Sequence, residues 1–159
     1  GDTIQFTAFG TNLTGYQWSF GDGAVSTQAA PAHEYAQAGI YSVQLICLST
    51  VNLCPDTVQH PVWVLPNPVA SFTAAPLEGC SPLWVYFQDQ SQFAGQYHWD
   101  LGDGNTSGFA SPSNVYVTPG TYTIELLVRS SNSCVDSTEI TVTVHPVPMA
   151  EFSFTFAPG

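Results

Sequence analysis

The sequence has almost no positive charge. It contains a single arginine, Arg129, and no lysine, against 12 acidic residues, which gives a formal net charge of −11. Charged residues make up only 8% of the chain, compared with roughly 25% in an average soluble domain. Nucleic-acid-binding surfaces neutralise phosphates with lysine and arginine, so this composition excludes nucleic acid as a partner.

Long apolar runs are missing as well. No stretch approaches the roughly 18 consecutive apolar residues of a membrane-spanning helix, and we expect no membrane insertion. Material for a core is nevertheless present, because 44% of the residues are apolar and 13% are aromatic. A chain of 159 residues with this composition suits one or two small domains.

The sequence also lacks the cysteine and histidine spacing of a zinc site. The four cysteines form no C-x-x-C pair and no paired histidines accompany them, which argues against a zinc site. Disulfides in an oxidising compartment fit them better. Together with the lack of lysine, they predict a secreted or cell-surface protein.

The sequence repeats itself. The stretch "YQWSFGDGAV" from Tyr16 returns as "YHWDLGDGNT" from Tyr97, and the aspartate, proline, tyrosine and glycine positions that follow keep the same spacing. A repeat of this length indicates two copies of one domain. We therefore divide the chain into domain 1 at residues 1–66, domain 2 at residues 67–146, and a remaining segment at residues 147–159.

Apolar and polar residues alternate within each copy. "IYSVQLICL" and "TYTIELLV" are examples, rich in Val, Thr and aromatic residues and bounded by turn residues. A period of two indicates strands, and several short strands in a unit of this size favour an antiparallel β-sandwich. The expected fold is all-β.

The two ends of the sequence complement each other. Domain 1 has nothing that matches "PVASFTAAPLEGC" of domain 2, its expected first strand, while residues 147–159 supply such a strand with Phe152, Phe154 and Phe156. This segment is either the first strand of a further domain in a tandem array, or a donor strand that completes domain 1 of the next copy in a head-to-tail polymer. The alternative is a chain cut at arbitrary points.

These residues resemble the signature of the PKD domain, an immunoglobulin-like β-sandwich. The matching positions are Tyr97, "WDLGDG", Pro112, Tyr116 and "GTYTIELLV", with "WSFGDG" and "GIYSVQLIC" in the first copy. Ser19 and Leu101 depart mildly from the pattern. The resemblance implies tandem sandwiches in an extracellular structural or adhesive protein, or beside a secreted hydrolase, and it implies no catalysis.

The Gly-Asp-Gly motif is interpreted as a turn. It lacks the lysine and the strand–helix unit of a phosphate loop, and no base or nucleophile is repeated beside it. Glycines permit positive φ, and an aspartate can accept backbone hydrogen bonds in an Asx turn beneath a core tryptophan. The structural positions expected on this basis are Trp18, Gly21, Asp22, Gly23, Tyr35, Gly39, Tyr41, Trp99, Gly102, Asp103, Gly104, Tyr116, Gly120 and Tyr122.

No metal or other cofactor is expected. Calcium is the alternative use of the turn carboxylates, with Asp22, Asp100 and Asp103 as oxygen donors and Asp89 nearby. Calcium takes six to eight oxygens, and the first copy carries Ser19 where the second has Asp100. The four histidines share no local spacing, which argues against a metal cluster.

Two cysteine pairings are predicted. Cys80 precedes the second strand of domain 2 and Cys134 lies in its late hairpin, so a bond between them would staple one sandwich. Cys47 and Cys54 are close in sequence and would close a hairpin. A free, buried Cys47 is the alternative.

Three aromatic residues are expected to face outward. If Val62, Val64, Val85 and Phe87 point inward, alternation turns the neighbouring Trp63, Trp84 and Tyr86 toward solvent. None of them is aromatic in the other copy, which favours a contact surface. Packing against neighbouring copies or other cell-surface proteins is the first interpretation, and carbohydrate stacking is the second.

Several acceptors for glycosylation are present. Asn12 and Asn105 fit N-x-[ST]. Thr3, Thr57 and Ser137 follow an aspartate in a pattern that resembles an O-glycosylation motif of some bacteria, although Asp-Thr also simply opens strands. The sequence thus favours a non-catalytic extracellular repeat protein with copies of itself or surface glycans as partners. The alternative is a carbohydrate-binding accessory module.

Overall fold

The chain forms two compact units in a computed structural model that describes residues 3–11, 13–49 and 55–155. The units comprise Gly1–Pro66 (unit 1) and Asn67–Gly159 (unit 2). Within the described ranges the regular structure consists of fourteen β-strands. In those same ranges, no helix is long and apolar enough to cross a membrane. The expectation of an all-β fold with tandem sandwiches is confirmed.

Six strands in two sheets lie within the described residues of unit 1. One sheet pairs β1 with β4, and the other has the order β3-β2-β5-β6, with every pair antiparallel. The strands are β1 (Thr3–Gln5), β2 (Gly15–Ser19), β3 (Val25–Ser26), β4 (Ala32–Glu34), β5 (Gly39–Leu48) and β6 (Asp56–Val64).

The described part of unit 2, residues 67–155, contains eight strands, also in two sheets. The orders are β12-β9-β7 and β11-β10-β13-β14-β8, where only the short β8 runs parallel to its neighbour. The strands are β7 (Phe72–Ala75), β8 (Glu78–Cys80), β9 (Leu83–Asp89), β10 (Gln96–Asp100), β11 (Thr106–Ser107), β12 (Ser113–Tyr116), β13 (Gly120–Arg129) and β14 (Val135–His145).

Alternation along the long strands builds the core of unit 2. On β13, Ile124, Leu126 and Val128 are fully buried while the residues between them face outward or are partly covered. Val85 and Phe87 on β9, in the other sheet, belong to the same core cluster, and so does Trp99 on β10. The period-two pattern thus places one apolar face of each sheet against the other, which is why these segments are strands.

The two units share most of their strands. By the sequence repeat, β1, β2, β4, β5 and β6 correspond to β9, β10, β12, β13 and β14. The strands β7 and β8, which precede β9 in unit 2, have no counterpart among the described strands of unit 1. Unit 2 therefore has one additional edge strand on each of its two sheets.

The predicted disulfide between Cys80 and Cys134 is wrong. Cys80 ends β8 and pairs with His145, at the last residue of β14, whereas Cys134 precedes the first residue of that strand. At about 3.4 Å per residue, these two ends lie roughly 30 Å apart, far beyond the ~7 Å between Cα atoms that a disulfide spans. Both thiols are free, as is the buried Cys47. Its predicted partner Cys54 lies outside the described residues.

Candidate functional site

The Gly-Asp-Gly motif of unit 2 forms a tight turn after β10. Gly102 and Gly104 have φ of +77° and +91°, in the left-handed region that favours glycine. Between them, Asp103 accepts the N–H of Asn105 at 3.0 Å. The aspartate thus satisfies a backbone donor of its own turn, which is an Asx-type arrangement.

Unit 1 repeats this turn after β2. Gly21 and Gly23 have φ of +86° and +98°, and Asp22 accepts the N–H of Ala24 at 3.0 Å. The backbone conformation and the aspartate's role are therefore the same in both copies, although the residues that follow the motif differ.

The second oxygen of each aspartate ties the turn to the neighbouring strand. In unit 1, Asp22 Oδ2 lies 2.7 Å from Nε2 of His33 on β4. In unit 2 the equivalent bond comes from Nδ2 of Asn114 on β12, at 2.8 Å from Asp103. The Ala24 N–H and the bond with His33 hold the pKa of Asp22 below its ordinary value. Sequence reasoning missed this pair, because it depends on two strands meeting.

The tryptophan and tyrosine of the motif bond to backbone carbonyls in unit 2. Trp99 donates its indole N–H to the Phe109 carbonyl at 2.8 Å, and Tyr116 donates its hydroxyl to the Leu101 carbonyl at 2.8 Å. Both side chains are fully buried, and burial raises the pKa of Tyr116 to about 12. The two side chains fill the core, and their hydrogen bonds hold the backbone on either side of the Gly-Asp-Gly turn.

The same two bonds occur in unit 1. Trp18 donates to the Gln28 carbonyl at 2.9 Å, and Tyr35 donates to the Phe20 carbonyl at 3.0 Å. The ring of His33 stacks on Phe20 with 4.2 Å between centroids. The polar atoms of this motif are therefore engaged in both copies.

The second tyrosine of each repeat hydrogen-bonds to the loop that precedes the long strand. Tyr122 donates its hydroxyl to the Thr118 carbonyl at 2.6 Å, and Tyr41 donates to the Gln37 carbonyl at 2.8 Å. Each tyrosine lies two residues into a strand that begins at a glycine, Gly120 in β13 and Gly39 in β5. This corner orients the strand that carries the core residues.

The carboxylates proposed as calcium ligands are used by the backbone. Asp100 accepts the N–H of Gly102 at 2.9 Å, and Asp89 accepts the N–H of Ser91 at 3.0 Å. Within the part of the chain that the structure describes, no group of three His, Cys, Asp or Glu side chains is placed to hold a metal ion. The expectation that no metal binds stays a prediction, with calcium at Asp22, Asp100 and Asp103 as its alternative.

Exposed aromatic residues lie on a different sheet in each unit. In unit 2, Trp84 and Tyr86 point outward from β9, with Val115 of β12 opposite Trp84. In unit 1, Trp63 of β6 lies opposite Ile40 of β5, and both are exposed. Sequence reasoning missed Ile40, although alternation along β5 places it outward. Trp84 and Tyr86 form a small apolar patch on unit 2, and Trp63 and Ile40 form another on unit 1.

The predicted glycosylation acceptors that the structure describes are accessible. Thr3, Thr57 and Ser137 are exposed residues on strands. Asn105 is exposed too, but its Nδ2 donates to Asp103 at 3.0 Å. Asn12 and the third phenylalanine of the terminal segment, Phe156, lie outside the described residues.

Comparison with known proteins identifies relatives for both units. The family model described as "PKD domain" matches residues 1–60 and 66–145. Collagenase ColA of Bacillus cereus is 41% identical over 58 residues, which are 36% of this chain and 6% of that protein. Pre-pro-metalloprotease PrtV of Vibrio cholerae is 30% identical over 136 residues, 84% of this chain and 14% of that protein. The chain therefore spans only a small part of these curated relatives.

Among solved structures, the crystal structure of the PKD1 domain from Vibrio cholerae metalloprotease PrtV is similar. It has 30% sequence identity and a TM-score of 0.44, and the match covers 50% of this chain and 98% of that one. The PKD1 domain of Vibrio anguillarum Epp also matches, with 30% identity, a TM-score of 0.44, and coverage of 52% and 98%.

Proposed function

This chain belongs to the PKD domain family, and from that premise we propose that it is a non-catalytic extracellular structural or adhesive repeat protein. It acts as part of a tandem array or a head-to-tail filament on or outside a bacterial cell. Its partners are neighbouring copies of itself or other cell-surface proteins, and surface glycans are the partners of the second candidate below.

The observation that carries this proposal concerns the Gly-Asp-Gly motif, which most resembles a reaction site. Its polar side chains, and those of the tryptophan and tyrosine beside it, form hydrogen bonds that stabilise the fold. In both copies the aspartate bonds a turn N–H and a side chain from the adjacent strand. The tryptophan and tyrosine bond buried backbone carbonyls, also in both copies. Residues written identically in each repeat thus specify the sandwich.

The curated relatives support an accessory role. The matched region is 6% of a protein named a collagenase and 14% of one named a pre-pro-metalloprotease. A short matched segment in a long enzyme supports a module that acts beside the reaction rather than in it. The near-absence of lysine and arginine, with a net charge of −11, also suits a protein that persists outside the cell among trypsin-like proteases.

The unit-specific aromatic patches are the contact surfaces of this proposal. Trp84 and Tyr86 lie on unit 2, and Trp63 with Ile40 lies on unit 1. Exposed apolar pairs of this kind mark protein–protein contacts. Lateral packing between neighbouring filaments would cover them.

A second candidate is a carbohydrate-binding accessory module of a secreted hydrolase. The observation that favours it is the spacing of Trp84 and Tyr86, two residues apart on one exposed face of β9. Neighbouring rings on a flat sheet suit stacking against the apolar faces of sugar rings.

Titration with a panel of polysaccharides, followed by isothermal titration calorimetry, tests the two candidates against each other. We expect no saturable binding by the full chain. The variants Trp63→Ala and Trp84→Ala locate any site, and Phe109→Ala, which removes another exposed ring, is the matched control. Saturable sugar binding that Trp84→Ala abolishes and Phe109→Ala leaves unchanged would replace the first proposal with the second.

A further inference from the structure

In unit 2, strand β7 covers one edge of the core. It runs antiparallel to β9, with Phe72 opposite Asp89 and Ala74 opposite Phe87. The ring of Phe72 packs against Trp99 with 4.8 Å between centroids and against Phe87 at 6.3 Å. This strand therefore seats one aromatic ring between two core aromatics.

In unit 1 no described strand pairs with the equivalent edge. Among the described strands, β1 pairs only with β4, whereas its counterpart β9 pairs with both β12 and β7. Phe6 and Ala8 donate their N–H groups toward the β4 side, to the carbonyls of Pro31 and Ala29. Because hydrogen bonds alternate between the two sides of a strand, the backbone of Gln5 and Thr7 points to that edge.

The seat for an aromatic ring is already formed at this edge. The rings of Phe6 and Trp18 lie 5.7 Å apart, and those of their counterparts Phe87 and Trp99 lie 5.6 Å apart. Trp18 keeps 7% of its surface exposed, whereas Trp99 keeps none. A groove of about 360 Å³ occupies the position, lined among others by Phe6, Thr7, Trp18, Leu45, Val58 and Val62.

The segment 149–155 carries the pattern of β7. "MAEFSFT" aligns with "VASFTAA", so Phe152 takes the position of Phe72. The same number of residues separates Val144 from Phe152 as separates Val64 from Phe72, so a junction between copies would repeat the junction within the chain. Met149 and Phe152 are 90% and 91% exposed. A segment outside the described strands with such exposed apolar side chains is suited to strand addition.

We propose that the groove beside β1 binds residues 149–155 of a second copy as an added antiparallel strand. This rests on the head-to-tail assembly of the proposed function and names its interface. By analogy with β7, Phe152 lies opposite Ala8 and Ser153 opposite Thr7, and the Phe152 ring sits on Trp18. The backbone of Gln5 and Thr7 gains partners, and the groove loses its exposed apolar surface.

An acidic side chain adds a further contact point. In unit 2, Asp136 at the start of β14 accepts the N–H of Ala70 at 2.8 Å, just before β7. Its counterpart in unit 1 is Asp56, the first residue of β6, which is exposed. Asp56 is thus placed to accept the N–H of Ala150 from the incoming strand, as Asp136 does for Ala70.

A peptide of residues 146–155 tests the groove directly. We expect it to bind the full chain and to change Trp18 fluorescence. The peptide with Phe152→Asp should bind about 100-fold more weakly, because a carboxylate replaces a buried ring. Equal binding of both peptides, or binding of neither, would overturn the proposal.

Complementary variants test whether a second copy supplies the strand. Phe152→Asp disables the donor and keeps the groove, while Thr7→Pro removes the N–H that points to that edge of β1 and keeps the donor. Each variant alone should be monomeric. An equimolar mixture should form dimers and no larger oligomers. The control Phe109→Asp, at an exposed ring of unit 2, should form the same concentration-dependent oligomers as the unaltered chain.

Two outcomes distinguish this inference from the proposed function. A chain that binds the peptide yet stays monomeric at every concentration would overturn the second copy as occupant and would assign the groove to another strand. A chain that binds sugars through Trp84 while still forming dimers from the mixed variants would overturn the proposed function and leave the groove assignment standing.

Discussion

Replacing Gly102 by alanine tests how the Gly-Asp-Gly turn is held in place. A Cβ at this position would lie 2.5 Å from the carbonyl oxygen of Thr123 and 3.1 Å from its nitrogen, both backbone atoms of the central strand β13. At Gly104, which also has positive φ, a Cβ would meet nothing within 4 Å. Comparing alanine substitutions at the two glycines therefore separates the cost of backbone strain from the cost of steric overlap.

The expected losses follow from this difference. A left-handed φ costs a non-glycine residue about 1–2 kcal/mol, and this cost applies to both positions. Overlap with a packed backbone adds about 1–3 kcal/mol at Gly102 only. Gly104→Ala should thus lower the free energy of unfolding of unit 2 by about 1–2 kcal/mol, and Gly102→Ala by about 2–5 kcal/mol.

Hydrogen exchange of β13 in increasing urea measures unit 2 in the full chain, since that strand belongs to its core. A loss of 1 kcal/mol corresponds to a shift of about 4–8 °C in the melting temperature for a domain of this size. Gly21→Ala and Gly23→Ala repeat the comparison in unit 1, where a Cβ at Gly21 lies 2.8 Å from the Ser42 carbonyl oxygen. Equal losses for Gly102→Ala and Gly104→Ala would refute the packing argument.

Three further outcomes are expected. Tyr116→Phe leaves the buried Leu101 carbonyl without its donor and should cost about 1–3 kcal/mol, measured by urea unfolding; no loss would mean that the bond is replaced. The folded-state pKa of Asp22 lies below its usual 3.8, so its contribution to stability is present above that pH and is lost as the pH falls through the lower folded value. Asp22→Asn should therefore flatten the acid dependence of unit 1 in urea titrations at pH 2–5, and an unchanged slope would contradict this. Intact mass and thiol labelling should find no bond between Cys80 and Cys134, whatever the reductant.

The strands and the core were predictable because they follow from local pattern. Alternation along "GTYTIELLV" places Ile124, Leu126 and Val128 on one face, and they are the residues that the structure buries. The repeat then transfers this assignment to the first copy, where Val43 and Leu45 are buried in the same way. Period and repetition are properties of the sequence alone.

The errors and omissions have a different origin, because they depend on which strands become neighbours. The Cys80–Cys134 pairing assumed that both lie at one end of the sandwich, but the parallel pairing of β8 with the far end of β14 separates them. The bond between Asp22 and His33 was missed for the same reason, since it joins a turn to a strand on the opposite sheet. Spacing along the chain does not contain this information.

The central claim, that copies join by adding a strand beside β1, is tested most directly by register-specific cross-linking. One copy carries Thr7→Cys and another carries Ser153→Cys, and in both Cys54, Cys80 and Cys134 are replaced by serine, which leaves the buried Cys47 as the remaining native thiol. A short bis-maleimide should link them into dimers, while Thr27→Cys in place of Thr7→Cys should give none. Dimers with Thr7→Cys that vanish in Phe152→Asp are the predicted result. Equal cross-linking at Thr27 and Thr7, or none at Thr7, would contradict the claim.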